Sequence, residues 1–294
     1  MILLTGGTGF VGGHVAHALR AQGRDVRALV REPSRGEKLA GWGCELSRGD
    51  ITDPASLKRA GAGCDVVVHL VAIIAGSRAE FERVMTQGTQ NLIAAAHEAG
   101  VRRFVLMSAL GVGEETKDLT PYYHSKWEME QAVEESGLEH VIFRPSFVFG
   151  RDGGVLPLFV RQVRWSPLTP VLGTGERRLQ PIWVEDVAAH FAASIDLPAA
   201  ANRIFELCGP DAVTWNELYR RIAVVLGKRR SRVNIAIGLV RPAAAVAELL
   251  PNPPITRDQL TMLEAGDSVC DIAPALEVFG IGGLSLDEQL RRVA

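Results

Sequence analysis

Three polar residues near the middle of the chain could together move a proton to or from a substrate oxygen. Tyr122 and Lys126 are four residues apart, a spacing that places them on one face of a helix. A tyrosine pKa is ordinarily about 10, so a neighbouring lysine that lowered it would let the phenol exchange protons near neutral pH. Ser108 follows an apolar run and could hydrogen-bond the same oxygen. We predict Ser108, Tyr122 and Lys126 as catalytic residues. The alternative is that Tyr122 and Lys126 are a solvent-facing helical pair and that Ser108 is a cap.

A glycine-rich segment at the start of the chain has the composition of a phosphate-binding turn. Thr5-Gly6-Gly7-Thr8-Gly9-Phe10-Val11-Gly12 follows the apolar run Ile2-Leu3-Leu4 and precedes an amphipathic stretch from His14 to Arg20. The order of strand, glycine turn and helix is typical of a dinucleotide site, because glycines let the backbone approach a pyrophosphate and the helix N-terminus favours negative charge. A purely structural glycine turn is the alternative.

The residues after the second predicted strand bear on which dinucleotide would bind. Val26–Val30 is followed by Arg31 and, shortly after, Arg35, where NAD-binding folds place an Asp or Glu against the ribose hydroxyl. An arginine can instead form charge-assisted hydrogen bonds with a 2′-phosphate. The sequence therefore favours NADP(H) over NAD(H), unless Arg31 is a solvated surface charge. Asp50 could meet the adenine edge or cap the segment from Thr52 to Arg59.

Short β-branched runs alternate with helical stretches through the first half of the chain, which is typical of parallel strands joined by right-handed crossovers. The predicted strands after the glycine turn are Val26–Val30, Val66–Leu70, Phe104–Met107 and Val141–Phe143, and predicted helices cover Asp53–Arg59 and Phe81–Glu98. We predict an α/β fold with a Rossmann-type doubly wound parallel sheet in residues 1–150. Residues 151–294 are predicted to form a smaller C-terminal substrate lobe interleaved with the end of the sheet.

The composition argues against several classes of protein. The net charge is −2 and the basic residues are spread along the chain, so we expect no nucleic-acid partner. The cysteines lack any C-x-x-C pairing, so we predict reduced thiols, no metal site and no disulfide framework for Cys44, Cys64, Cys208 and Cys270. The first predicted strand begins at Ile2, so we expect no signal or transit peptide and a cytoplasmic location.

The second half of the chain specifies less. The apolar stretch Val233–Leu250 is interrupted by Arg241 and Pro242, so we interpret it as a buried or lid-like helix rather than a membrane span. A docking surface for a partner or a membrane is the alternative. Arg177 and Arg178 could meet an anionic substrate group. Four residues suggest apolar walls of a pocket, although such residues are more often core: Phe147, Phe149, Pro181 and Trp183.

Together with Arg144-Pro145-Ser146 and Val184-Glu185-Asp186-Val187, these motifs resemble the extended and atypical short-chain dehydrogenase/reductases. Three segments are most similar to the NAD(P)-binding group related to the 39-kilodalton accessory subunit of respiratory complex I: Asn91-Leu92-Ile93-Ala94-Ala95-Ala96, Ser125-Lys126-Trp127-Glu128 and Gln180-Pro181-Ile182-Trp183-Val184.

The resemblance implies a role for each motif residue. Gly6, Gly9 and Gly12 would hold the pyrophosphate. Tyr122 would donate the proton, Lys126 would bind the nicotinamide ribose and lower the tyrosine pKa, and Ser108 would orient the substrate carbonyl. We expect further cofactor contacts at Thr8, Phe10, Val11, Ile51, Leu70, Val71, Ala72 and Pro145.

Two functions follow from these expectations. The leading hypothesis is an NADP(H)-dependent oxidoreductase or epimerase-like enzyme acting on a carbonyl or hydroxyl group of an unidentified small molecule. However, Met85 stands where many relatives carry an Asn, and a thioether cannot take part in a proton relay. The alternative is therefore a protein that binds NADP(H) without turnover, as a structural subunit, assembly factor or redox sensor. Such a protein could associate peripherally with a membrane or a respiratory complex.

Overall fold

The computed structural model describes residues 1–248 and 255–294. Its strands are β1 (Ile2–Thr5), β2 (Val26–Val30), β3 (Glu45–Arg48), β4 (Val66–His69), β5 (Arg103–Met107), β6 (Glu139–Pro145), β7 (Val148–Phe149), β8 (Leu168–Leu172), β9 (Arg178–Leu179), β10 (Ile182–Trp183), β11 (Arg203–Leu207), β12 (Val213–Thr214) and β13 (Ser231–Ile235).

Helices connect most of these strands. They are α1 (Phe10–Ala21), α2 (Glu37–Gly41), α3 (Pro54–Gly61), α4 (Arg78–Phe81), α5 (Gln87–Ala99), α6 (Pro121–Glu135), α7 (Leu156–Trp165), α8 (Val184–Ala193), α9 (Trp215–Val225), α10 (Ile237–Ala247), α11 (Arg257–Ala265), α12 (Ala273–Phe279) and α13 (Leu286–Arg291). Short 3₁₀ turns cover Pro33–Gly36, Lys117–Leu119 and Pro198–Ala200.

Seven strands form one parallel sheet in the order β3-β2-β1-β4-β5-β6-β11. The predicted α/β, Rossmann-type doubly wound sheet is therefore confirmed. Its central strands are almost fully buried, as expected for a parallel sheet covered by helices on both faces. The strand order reverses between β1 and β4, the position where open parallel sheets bind ligands beyond the strands' carboxyl ends.

The register of the sheet brings the predicted motif residues to one edge. Thr5 of β1 is paired with His69 of β4, so the glycine turn and the residues after His69 leave the sheet side by side. Leu106 of β5 is likewise paired with His69, and Met107 with Phe143 of β6. The chain immediately after β1, β4 and β5 therefore emerges at the same edge.

The helix between β4 and β5 is longer than the predicted Phe81–Glu98. It begins after Ser77, whose side chain forms a capping box with Glu80, and continues through α5. A π-helical turn from Glu82 to Thr86 interrupts it and packs against α6. Such turns insert one extra residue per turn and are frequent near functional sites.

The chain divides into two compact units, each discontinuous in sequence. The first comprises Met1–Pro145, Val184–Leu207 and Ala273–Ile281, and contains the whole parallel sheet. The second comprises Ser146–Trp183, Cys208–Ile272 and Gly282–Ala294. The predicted boundary at residue 150 cuts the chain once, whereas these units exchange segments, because β11 and the helices α8 and α12 return to the first unit.

Two expectations for the second unit are wrong, the first of them in part. The buried or lid-like helix expected in Val233–Leu250 is present as α10 from Ile237, but β13 includes Val233, and Ala244 is the buried residue of α10. An apolar composition alone does not show whether other elements will pack against a segment and bury it. Leu249 and Leu250 lie outside the described residues. None of the helices in the described ranges is long and apolar enough to span a bilayer.

The second wrong expectation concerns the cysteines. Cys208 and Cys270 form a disulfide, with a Cα–Cα separation of 6.2 Å, whereas Cys44 and Cys64 are free and buried. Gln180 joins the two segments, since its side-chain amide donates to the Gly209 carbonyl and accepts from the Cys270 N–H. A sequence separation of 62 residues does not show that folding brings the two thiols together.

Candidate functional site

The glycine turn has the close backbone contacts of a phosphate cradle. A Cβ on Gly12 would lie 2.1 Å from the Gly6 carbonyl oxygen, and one on Gly6 would lie 2.8 Å from the Leu70 carbonyl carbon. Gly6 also has φ +77°, a conformation that favours glycine. Gly9 is different, because its nearest neighbour lies at 3.2 Å and its φ of −81° suits any residue. Gly6 and Gly12 therefore shape the turn, whereas Gly9 leaves space in front of it.

The first turn of α1 is available to an anion. Gly9 is the N-cap, no side chain caps the turn, and no acidic residue lies within it. The positive end of the helix therefore faces the open side of the glycine turn without a negative partner from its own first turn. This environment fits the pyrophosphate of a dinucleotide, and the proposed contacts from Thr8, Phe10 and Val11 would come from the same segment.

A surface cavity of about 460 Å³ lies beyond the ends of β2 and β3. Arg31 lines it, as a 2′-phosphate site requires, and so do Arg48 and Arg59, which our sequence reasoning missed. Arg35 is exposed on the 3₁₀ turn after β2 and is not among the residues that line this cavity. The missed signal was the position of Arg48 at the end of the neighbouring strand, two residues before Asp50.

Asp50 stabilises the turn that follows β3. One of its carboxylate oxygens accepts hydrogen bonds from the N–H and the hydroxyl of Thr52, at 2.8 and 2.7 Å. Burial raises the pKa of Asp50, but these bonds and the charges of Arg31 and Arg83 outweigh it, and the net pKa is lowered. Asp53, not Asp50, caps α3. Asp50 is therefore ionised at neutral pH and fixed at the lip of the cavity.

Ser108 is buried, and its hydroxyl has no hydrogen-bond partner in the described part of the chain. Its backbone N–H donates to the Phe143 carbonyl at 2.7 Å, which fixes it directly beyond β5. A buried hydroxyl without a partner carries a desolvation cost that a ligand oxygen can relieve. Ser108 is thus set up to bind an external acceptor or donor.

Lys126 reaches the same place from α6. Its Nζ donates to the Met107 carbonyl oxygen at 2.6 Å, one residue before Ser108, and the side chain is fully buried. Burial lowers the pKa of Lys126 to about 8, although the Glu130 charge opposes this shift. The ammonium form therefore still predominates at neutral pH, and two of its three N–H donors are available beyond the bond to Met107.

Tyr122 lies one helical turn before Lys126, on the same face of α6. The Lys126 ammonium is 6.0 Å from the centre of the Tyr122 ring, and the ring packs edge-on against Phe81 at 6.4 Å. Burial, with a smaller effect from Tyr123, raises the pKa of Tyr122. The expected lowering by Lys126 is wrong for this structure, because burial dominates the pKa of Tyr122. Tyr122 is a neutral phenol in this arrangement, which is the protonated form that a proton donor requires.

A buried hydrogen-bond network next to the site was not identified from the sequence. The Thr5 hydroxyl and His69 Nδ1 are 2.6 Å apart, and His69 Nε2 lies 3.1 Å from the Thr89 hydroxyl, which donates to the Met85 carbonyl. Thr89 therefore accepts from Nε2–H, and Thr5 donates to Nδ1. Burial and the Lys126 charge lower the pKa of His69 to about 3. The imidazole is neutral and links β1 and β4 to the helix that follows.

A second missed feature fixes α6 against the sheet. Glu130, which is 1% exposed, accepts two hydrogen bonds from the Arg144 guanidinium of β6, at 2.9 and 2.6 Å. Glu130 and Arg144 are 14 residues apart on different elements, so no local sequence pattern indicated this pair. Removing one partner of such a buried pair leaves an uncompensated charge, so the pair holds α6, and with it Tyr122 and Lys126, in position.

The remaining predicted contacts are distributed along the same edge of the sheet. Leu70 and Val71 form the wall that Gly6 approaches. Ile51 is buried against Gly88, whose added Cβ would lie 2.9 Å from it. Ala72 packs partly buried beside this core, and the Pro145 carbonyl accepts from the Leu110 N–H at the end of β6. The expected apolar walls Phe149 and Trp183 are buried in the core of the second unit.

These features combine a Rossmann-type fold with the motif residues of the extended short-chain dehydrogenase/reductases that the sequence resembles, and the family and relatives of the chain indicate an NAD(P)-dependent oxidoreductase. The chain belongs to the NAD(P)H-binding family, whose model matches residues 6–158. It is 32% identical over 250 residues to a ceramide reductase of Caulobacter vibrioides, covering 84% of this chain and 77% of the relative.

Two further similarities bear on function. The photosystem II assembly factor Ycf39 of Synechocystis is 25% identical over 287 residues, covering 95% of this chain and 85% of that protein. The crystal structure of an NADPH-dependent quinone oxidoreductase from Escherichia coli, complexed with NADPH, superposes with a TM-score of 0.80. That match has 21% identity and covers 99% of this chain and 98% of the other, and it shows the shared fold.

Proposed function

We propose that this protein is an NADP(H)-dependent reductase that converts the carbonyl group of an apolar small molecule into an alcohol. The observation that carries the proposal is the Ser108 hydroxyl, buried and without a partner in the described structure, beside the Lys126 ammonium on the Met107 carbonyl. An oxygen acceptor at this point would satisfy the orphaned hydroxyl. Tyr122, as a neutral phenol, carries the proton that reduction of a carbonyl consumes.

The residues present fit a dinucleotide. The glycine turn and the uncapped start of α1 would hold the pyrophosphate, and Lys126 would hydrogen-bond the nicotinamide ribose through its spare donors. When bound, the reduced nicotinamide supplies a hydride to the carbonyl carbon. Ser108 donates a hydrogen bond that polarises the carbonyl, and Tyr122 transfers its phenolic proton to the oxygen as negative charge develops there. Lys126 then stabilises the phenolate that remains.

Arg31 supports NADP(H) over NAD(H). Its guanidinium shares the cavity beyond β2 with Arg48 and Arg59, and a 2′-phosphate there could form charge-assisted hydrogen bonds. The proposal of an apolar substrate is supported by the similarity to a ceramide reductase, whose name denotes a lipid substrate.

Non-catalytic binding of NADP(H) is the second candidate function. Met85 is fully buried where an Asn relay would stand, and an assembly factor is among the relatives. Both candidates use the same phosphate turn, so cofactor binding alone does not separate them. The two candidate functions differ in whether Ser108 and Tyr122 contact a substrate.

Turnover of a graded ketone series tests the proposal. Loss of NADPH absorbance is followed with the full chain and methyl ketones of increasing alkyl length, with NADH as the comparison cofactor. We expect turnover with NADPH that improves with chain length and falls by roughly 10²-fold in Ser108→Ala. Ser136→Ala, at the far end of α6, is the matched control and should retain activity. If no ketone, aldehyde or alcohol reacts while NADPH binds, the non-catalytic function replaces the proposal.

A further inference from the structure

One side of the second unit exposes apolar side chains in a regular pattern. In the two-stranded sheet formed by β8 and β13, Thr169 and Val171 point inward and are buried. The alternate positions point outward, where a strand facing water normally carries polar residues. Here those positions are apolar in β8 and largely apolar in β13: Leu168, Pro170, Leu172, Val233 and Ile235.

The helices that precede β8 and follow β13 also expose large apolar side chains. Trp165, the last residue of α7, is 78% exposed, and Leu158 lies seven residues before it on the same helical face. On α10, which follows β13 after a single residue, Leu239 and Val246 are 76% and 68% exposed and again lie seven residues apart. Large apolar side chains clustered at this exposure mark a surface that binds something apolar.

Basic residues lie on or next to the same elements. The run Lys228-Arg229-Arg230-Ser231-Arg232 leads directly into β13, and Arg161 and Arg164 lie on α7. Arg230 donates to the Val163 and Arg164 carbonyls, which places the basic run beside the end of α7 and Trp165.

The two segments that carry these charges contain no acidic residue. In the sequence, neither 153–175 nor 218–247 contains an Asp or Glu, although the chain as a whole carries a net charge of −2. Within the described ranges, no ion pair forms at Arg161, Arg164, Lys228 or Arg229, whereas other arginines of this unit, such as Arg178 and Arg221, are paired with carboxylates. The surface is thus both apolar and cationic.

We propose that this face of the second unit, the membrane-docking face, binds the surface of an anionic phospholipid bilayer. Its apolar part comprises Trp165, Leu168, Val233 and Leu239, and its basic part comprises Arg161, Arg164, Lys228 and Arg229. Tryptophan prefers the boundary between headgroups and acyl chains, and basic residues beside it are attracted to anionic lipids. A surface that is both apolar and cationic suits such a bilayer better than it suits a second copy of this chain, because the identical cations of two copies would repel each other. The inference does not depend on catalysis.

Vesicle flotation tests the proposal. The full chain is mixed with phosphatidylcholine vesicles, with or without phosphatidylglycerol. We expect flotation with the anionic vesicles, loss of binding as salt rises, and little binding to phosphatidylcholine alone. The double variant Lys228→Glu/Arg229→Glu should weaken partitioning at least about tenfold, and Trp165→Ala should also weaken it. These side chains are exposed, so thermal unfolding should be nearly unchanged.

Control variants reverse two cations and truncate one exposed apolar side chain in the first unit. Lys58→Glu/Arg203→Glu and Leu276→Ala alter exposed residues of α3, β11 and α12, and should leave flotation intact. Equal loss in these controls would overturn the proposal, as would failure of the wild-type chain to float with anionic vesicles. Light scattering that shows a dimer dissociated by Trp165→Ala, without vesicle binding, would also overturn it in favour of self-association. Turnover of soluble ketones is unaffected by any of these results, so the two proposals fail separately.

Discussion

Lys126 Nζ donates a 2.6 Å hydrogen bond to the Met107 carbonyl, one residue before the partnerless hydroxyl of Ser108. This bond ties α6 to the end of β5 and places an ammonium, a hydroxyl and a neutral phenol at one edge of the sheet. The ammonium also lies 6.0 Å from the centre of the Tyr122 ring, whose pKa is raised by burial. In the proposed reaction Tyr122 therefore carries the proton that reduction consumes, and the nearby ammonium stabilises the phenolate that is left.

Burial of Lys126 should make stability depend on pH. Its pKa is about 8 in the folded chain and 10.5 in the unfolded chain, so the unfolded state binds more protons between these values. Lys126 consequently destabilises the fold below pH 8, and this penalty is relieved as pH rises toward 10.5. We expect the wild type to gain roughly 3 kcal/mol relative to Lys126→Met across that window. Denaturant unfolding of both proteins at several pH values measures the difference, and parallel pH profiles would contradict it.

Arg31 should set the cofactor preference. We expect NADPH to bind about 10- to 100-fold more tightly than NADH, the range of a charge-assisted hydrogen bond to phosphate. Arg31→Glu should abolish or reverse this difference, because a carboxylate repels the 2′-phosphate and accepts from a ribose hydroxyl. Arg35→Glu is the control, since Arg35 does not line the cavity. Fluorescence titration with both cofactors gives the affinities, and equal wild-type affinities would disprove the assignment.

Gly9 and Gly12 should respond differently to substitution. A Cβ on Gly9 meets nothing closer than 3.2 Å, so Gly9→Val should retain most of its stability while its side chain blocks the pyrophosphate. Gly12→Ala should instead lower stability, because the new Cβ would lie 2.1 Å from the Gly6 oxygen. Gly13→Ala, with its nearest atom at 3.8 Å, is the control. Calorimetry and thermal unfolding separate the two effects, and normal NADPH affinity in Gly9→Val would show that the turn does not hold phosphate.

The sequence was sufficient to predict most of the sheet, although not β11, because most of its strands show local patterns. The choice of Ser108, Tyr122 and Lys126 rests on local patterns too, and it stays a prediction. The β-branched and apolar residues of Val26–Val30 predict a strand, and the structure gives it the same bounds. The Tyr122 and Lys126 spacing likewise places both on one face of α6. Partners distant in sequence were not predictable, since no local pattern connects Glu130 to Arg144 or Arg31 to Arg59. The direction of the Tyr122 pKa shift depends on burial, which spacing does not reveal.

The disulfide between Cys208 and Cys270 is another such long-range partnership. Without reduction, the unfolded chain should show two reactive thiols, from Cys44 and Cys64, and four after reduction. Closing a loop of this size should stabilise the fold by about 2–4 kcal/mol, so dithiothreitol should lower the Tm of the wild type. The double variant Cys208→Ser/Cys270→Ser should unfold at the reduced Tm in either condition. Four thiols in the untreated chain would contradict the pairing.

The most direct test of the central claim compares NADPH affinity with turnover in Tyr122→Phe. This change removes only the phenolic hydroxyl, and Phe preserves the packing against Phe81. On the best ketone of the series, we predict that the Kd for NADPH stays within about twofold of the wild type while kcat falls by roughly 10²- to 10⁴-fold. Lys126→Met, by contrast, should impair both. A Tyr122→Phe protein that reduces the ketone at the wild-type rate would contradict the assignment of Tyr122 as the proton donor, and with it the proposed mechanism.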